Sequence, residues 1–66
     1  SKRYRERFLH KEVEVLFEED KVIDGKIYQV GHTREYIRVA CESGQRLSGK
    51  IMPITPSRFL QDDLLQ

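Results

Sequence analysis

Arg34, Tyr36 and Arg38 recur at every second position of one stretch, and Gly31-His32-Thr33 leads into them. On a strand, that spacing sets all three side chains on a single outward face. Guanidinium forks pair with phosphate oxygens, while an exposed Tyr or His ring offers a platform to an unpaired base. The chemistry this suggests is recognition of a polyanion that also carries flat rings, as a single-stranded or looped nucleic acid does. Lys50 on a neighbouring strand extends the patch, and His32 and Arg58 rank behind those four. Exposed Arg and Tyr are also ordinary on any solvated strand, so the patch needs a second argument, and charge supplies it.

The net charge of +1 hides a segregated distribution. Lys2, Arg3, Arg5, Arg7 and Lys11 against Glu6 give residues 1–11 a net +4, whereas residues 12–24 carry a net −5. Residues 25–58 return to +4, and Asp62 and Asp63 close the chain with two negative charges. A molecule patterned this way is expected to hold a polyanion on one surface and repel it from another.

Catalytic chemistry is not expected. Glu18-Glu19-Asp20 and Asp62-Asp63 are neighbours at strand ends, so their side chains splay apart into solvent rather than forming a dyad. His10 and His32 have no acid or thiol placed to complete a triad, and His32 reads better as a turn residue able to stack on a base. Cys41 is the one cysteine, which excludes an internal disulfide and leaves too few ligands for zinc or an iron–sulfur cluster. It falls on the apolar side of its strand and is expected to be a buried, inert thiol. Neither glycine-rich phosphate-loop pattern occurs, and Gly49-Lys50 is only a dipeptide. No catalytic residue, no metal and no cofactor is therefore expected in this chain.

The elements that would position the patch follow from periodicity. Ser1–Leu9 places Tyr4 and Phe8 at i, i+4 with Leu9 beside them, which suits a short amphipathic helix, the tail of a longer helix from an upstream domain. Val13, Val15 and Phe17 then alternate with Glu12, Glu14 and Glu18 as a half-buried strand, leaving Leu16 on the polar face to meet Phe8. Asp24-Gly25 signals a two-residue hairpin turn, since both of its central positions need positive φ. A second strand runs from Lys26 to about Thr33, with a bulge or bend expected at Gly31. A third covers Tyr36 to Glu42, with Ile37, Val39 and Cys41 inward and Tyr36, Arg38 and Glu42 outward. The fourth runs from Arg46 to about Thr55, bending at Gly49, with Pro53 and Pro56 marking an edge or a bulge. Phe59-Leu60 and Leu64-Leu65 supply the last turn and strand.

The fold class expected is all-β: a small five-stranded antiparallel barrel, OB-like, with a short N-terminal helical tail. Residues 1–10 would be the tail and residues 11–66 the barrel domain. Sixty-six residues allow one domain, and a chain this short buries only about 60% of its unfolded surface. No apolar run reaches the roughly 20 residues that span a bilayer, and no leader pattern is present, so a cytoplasmic, membrane-free monomer is expected.

The segments Glu12-Val-Glu-Val-Leu-Phe-Glu-Glu19 and Gly31-His-Thr-Arg-Glu-Tyr-Ile-Arg-Val39, followed by Leu47-Ser-Gly-Lys-Ile51, resemble in order and spacing a TRAM domain. That is the RNA-binding barrel at the C-terminal end of radical S-adenosylmethionine methylthiotransferases and some RNA methyltransferases. The resemblance spans about residues 10–66 and is closest to the branch that acts on threonylcarbamoyladenosine in tRNA. It implies a five-stranded barrel that docks the anticodon stem-loop region of tRNA against the upstream catalytic domain of the same chain. The parent enzyme would carry two 4Fe-4S clusters and S-adenosylmethionine in those upstream parts, making 2-methylthio-N6-threonylcarbamoyladenosine beside the anticodon. A related branch modifies a ribosomal protein, so a protein-interaction barrel is an alternative. A barrel that only buttresses its catalytic domain, with Tyr4, Phe8 and Leu16 at the seam, is another.

Overall fold

The computed structural model describes all 66 residues. Helix α1 (Lys2–Glu6) is capped by Ser1, whose Oγ accepts from the Tyr4 amide at 3.3 Å. The expected helix through Leu9 stops early. Phe8 and Leu9 instead donate to Arg5 and Glu6 three residues back, and His10 sits in the left-handed region at φ 63. That residue turns the chain, and its amide donates to the Pro56 carbonyl at 2.6 Å. Tyr4 and Phe8 meet edge to face at 5.5 Å, as their i, i+4 spacing requires.

Six strands follow: β1 (Val13–Ile23), β2 (Lys26–His32), β3 (Arg38–Cys41), β4 (Ile51–Ile54), β5 (Phe59–Gln61) and β6 (Leu64–Leu65). They form one sheet in the order β4-β1-β2-β3-β6-β5. This corrects the five-stranded antiparallel barrel in two ways. The sheet is open, because β4 and β5 lie at its two ends, and β3 pairs with β6 in parallel. The segment expected as one closing strand is a hairpin, Phe59–Leu65, folded at Asp62-Asp63. The remaining pairs are antiparallel.

The β1–β2 hairpin closes as its turn residues demand, with Asp24 at φ 50 and Gly25 at φ 78. Farther from the turn the register slips: Glu19 faces Val30, but Phe17 faces Gly31, which leaves Glu18 as the extra residue of a β-bulge. The bulge lies opposite Gly31, where the backbones nearly touch. A Cβ on Gly31 would come 2.1 Å from the Leu16 carbonyl oxygen, so only glycine fits the crossing.

Both faces of the sheet bury apolar side chains. Val15, Phe17, Ile37, Val39, Leu47 and Leu65 form one core, joined by Phe8, Leu9, Val13, Ile54 and Phe59 at its margin. Ile23, Tyr28, Val30, Ala40 and Leu64 form a second, with Leu60 against it. Leu64 and Leu65 point to opposite faces, so the two residues of β6 each seal one core at 0% exposure. Phe8 belongs to the first core, and Leu16 stands on the other face at 39% exposure, so the expected Phe8–Leu16 seam does not form.

The expected fourth strand from Arg46 to Thr55 is strand only at Ile51–Ile54. The preceding loop is held by contacts that a ladder would have replaced. The Leu47 amide donates to Gln29 Oε1 at 2.9 Å, and Ser48 Oγ donates to the Glu18 carbonyl at 2.9 Å. The Phe17 amide and carbonyl bond to Lys50 and Gly49 at 3.0 and 2.8 Å. Gly49, at φ 83, turns the loop rather than bending a strand. Pro53 does sit on an edge strand, opposite Glu14, where its missing N–H is not needed. No helix is long and apolar enough to cross a membrane.

Candidate nucleic-acid interface

The β2–β3 connection positions the candidate residues. The Tyr36 amide donates to the Thr33 carbonyl, and the Thr33 amide to the Ile37 carbonyl, both at 2.9 Å. Thr33 Oγ1 accepts from the Ile37 amide at 3.2 Å, inside the structure. Arg34 and Glu35 therefore form the centre of a β-turn, and Tyr36 follows it at φ 64. This is the three-residue hairpin pattern, whose left-handed position normally falls to glycine. Tyrosine there costs about 1–2 kcal/mol of backbone strain. The residue is 80% exposed.

Arg34, Tyr36 and Arg38 are thus not three pleats of one strand. Arg38 alone lies in β3; Arg34 is in the turn, and Tyr36 is in the left-handed residue after it. The hairpin nevertheless gathers them around His32. Arg38 is the cross-strand neighbour of His32, and the Tyr36 ring stacks on the imidazole at 5.2 Å between centroids and 8° between planes. Arg34 borders a groove that His32 also lines. Arg38 Nη1 lies 3.6 Å from Asp63 Oδ2, an exposed pair whose contribution to stability is about 0–1 kcal/mol.

The other two candidates stand apart. Lys50 is exposed in the loop one residue before Ile51, which faces Leu16, which in turn faces His32. It therefore adjoins the far end of a row crossing three strands. Arg58 does not join the cluster. It lies just before β5, at the sheet's other end, with Nε and Nη2 donating to Gln66 Oε1 at 3.0 and 2.8 Å.

Four neighbours went unnoticed in the sequence. Glu18 reaches His32, whose Nδ1–H donates to its Oε1 at 3.0 Å. Leu16 and Ile51 form an apolar floor beside His32, and Glu14 borders the same groove of about 230 Å³. Glu14 and Glu18 bring the acidic strand β1 against the basic hairpin, so the two charged surfaces meet rather than occupying opposite sides. The alternation of Glu14, Leu16 and Glu18 was visible in the sequence; the register that sets them beside His32 was not.

Elsewhere the chemistry is quiet. Cys41 is half-buried, and burial, then the charge of Glu42, push its thiol above its ordinary pKa. No group of three or more His, Cys, Asp or Glu side chains is close enough to hold a metal ion. The clusters implied by the resemblance find no ligand set here, since a lone thiol cannot hold one. Comparison of the chain with family models, curated proteins and solved structures finds no match to any of them.

Proposed function

We propose that the chain is an RNA-binding module of TRAM type that docks the anticodon stem-loop of tRNA. Its catalytic partner would be a radical S-adenosylmethionine methylthiotransferase acting on threonylcarbamoyladenosine. One observation carries this reading: an aromatic side chain held in a strained conformation, 80% exposed, stacked on His32 and flanked by Arg34 and Arg38. A structural tyrosine would be buried or replaced by glycine at that position, whereas a ring kept open to solvent suits base stacking. The module itself performs no chemistry in this reading. It works in the cytoplasm as a monomer, and its affinity is modest because tethering to the enzyme raises the effective concentration of RNA.

The test is titration of an anticodon stem-loop into isotope-labelled protein at two salt concentrations. Amide shifts are expected along Gly31–Arg38. If about four phosphates are neutralised, affinity falls about 50- to 150-fold between 50 and 200 mM salt. Silence at low salt would refute the reading.

A second reading, protein docking, has its own observation. Val22 and Ile27 face each other across the β1–β2 hairpin at 67% and 60% exposure, an apolar pair that no core covers. A salt-insensitive complex with a ribosomal protein or the catalytic domain, mapping to that pair, would favour it.

A further inference from the structure

We infer that the groove beside His32 is a pocket for one unpaired guanine of the bound RNA. The inference rests on the RNA-binding reading and goes beyond it by assigning the base. The groove runs across β4, β1 and β2 on the face opposite the first core, walled by the hairpin loop. Leu16 and Ile51, cross-strand partners at 39% and 63% exposure, give it an apolar floor. The His32 ring, backed by Tyr36 and fixed by Glu18, stands beside that floor. At about 230 Å³ the space is smaller than the pockets of about 300–1,000 Å³ that take drug-sized ligands, and suits a single base.

The polar rim discriminates among bases. Thr33 Oγ1 is buried and already accepts the Ile37 amide. Glu18 is engaged by His32, whereas Glu14 belongs to none of the four ion pairs and lines the groove with its carboxylate free. A carboxylate accepts hydrogen bonds and donates none. Guanine offers two adjacent donors, N1–H and the 2-amino group, to both of its oxygens. Adenine and cytosine each set one amino donor beside a ring-nitrogen acceptor, and uracil flanks its one N–H with two carbonyls, so each meets the carboxylate with at least one repelling lone pair. Arg34, which lines the same groove, carries no ion pair and is available to neutralise the adjoining phosphate, offsetting the repulsion from Glu14.

The test uses the 66-residue chain and four RNA hexamers: all uridine, and the same with one central guanosine, adenosine or inosine. Binding is followed by amide shifts at low salt. The guanosine hexamer is expected to bind about 5- to 10-fold tighter than the uridine or adenosine ones, the lower part of the range for a paired base contact because the groove is open. Inosine, lacking the 2-amino group, should lose part of that gain, and shifts should include Leu16, His32 and Ile51. Glu14→Gln replaces one acceptor by a donor and should abolish the preference while retaining binding. Equal affinity for all four hexamers would overturn the pocket and leave RNA binding intact. So would a Glu14→Gln protein that binds every hexamer more tightly by one common factor, since the carboxylate would then act only as a repelling charge. No binding to any hexamer would overturn both readings.

Discussion

Replacing Gly31 by Ala tests the strand crossing on which the site depends. The added Cβ would stand 2.1 Å from the Leu16 carbonyl oxygen and 2.7 Å from both the Leu16 carbonyl carbon and Phe17 Cα. All three are backbone atoms of β1, so no side chain can swing aside, and the strands must part by roughly 1 Å to reach ordinary contact. Parting them displaces Phe17 and so distorts the bonds of its amide and carbonyl to Lys50 and Gly49, now 3.0 and 2.8 Å. Each such bond contributes about 0.5–1.5 kcal/mol, and overpacking strain adds about 1–3 kcal/mol. The total, about 2–6 kcal/mol, is comparable with the whole stability of about 3–10 kcal/mol expected for a domain this size.

Urea melts followed by circular dichroism and tyrosine fluorescence measure the loss. Gly31→Ala should lower Tm by at least about 10 °C or leave the chain unfolded at 25 °C. Gly44→Ala is the control. Nothing lies within 4 Å of a Cβ there, and Gly44 is not among the positive-φ glycines, so the expected effect is nil or a gain of up to about 1 kcal/mol. A Gly31→Ala protein with the wild-type urea midpoint would refute the crossing and the bulge geometry built on it.

Tyr36→Asn should separate stability from binding. Asparagine tolerates the left-handed region, so relief of about 1–2 kcal/mol of strain offsets loss of the His32 stack, about 0.5–1.5 kcal/mol, and Tm should move by only a few degrees. RNA affinity should fall about 5- to 150-fold, the range for one stacked base; an unchanged affinity in the same titration would remove Tyr36 from the interface. Cys41 sets an alkaline limit on stability. Its folded pKa is raised by burial and Glu42, so above about pH 8.5 the unfolded chain loses the thiol proton first and stability falls as pH rises toward the folded value. Urea melts between pH 7 and 10 should show that decline, and Cys41→Ala should reduce it; equal slopes would refute the assignment.

Local signals carried much of the fold, and the register did not. The Asp24-Gly25 hairpin, the apolar alternation through Phe17 and the edge position of Pro53 each rest on a few adjacent residues, and each stands in the structure. The short fourth strand, the β5–β6 hairpin and the parallel β3–β6 pair depend on long-range contacts instead. Leu47 seals the first core from a loop through Gln29, 18 residues earlier, and no window of sequence shows that. The clustering of the candidate residues was legible more than its geometry. His32, Tyr36, Arg34 and Arg38 do converge, through a three-residue loop with a left-handed tyrosine where a plain pleat was expected, while Arg58 went to the opposite end of the sheet.

The bulge explains why Glu18 and Leu16 escaped notice and why Leu16 comes to lie beside His32. Counting back from the Ile23–Lys26 pair without interruption would put Phe17 opposite His32. Cross-strand partners share a face, so Phe17 would then leave the first core for the face that His32 shares with Val30 and Tyr28. The extra residue at Glu18 moves Phe17 opposite Gly31, where the absence of a side chain leaves it room, and puts Leu16 opposite His32. Phe17 stays buried at 1% exposure in the first core, while His32 meets Tyr36, Arg38 and Glu18 on the other face. One inserted residue thus keeps Val15 and Phe17 in the first core and reverses the facing of the part of β1 that precedes it. Bulge, glycine crossing and strained tyrosine therefore form one device, and each separately costs stability that an uninterrupted ladder would keep.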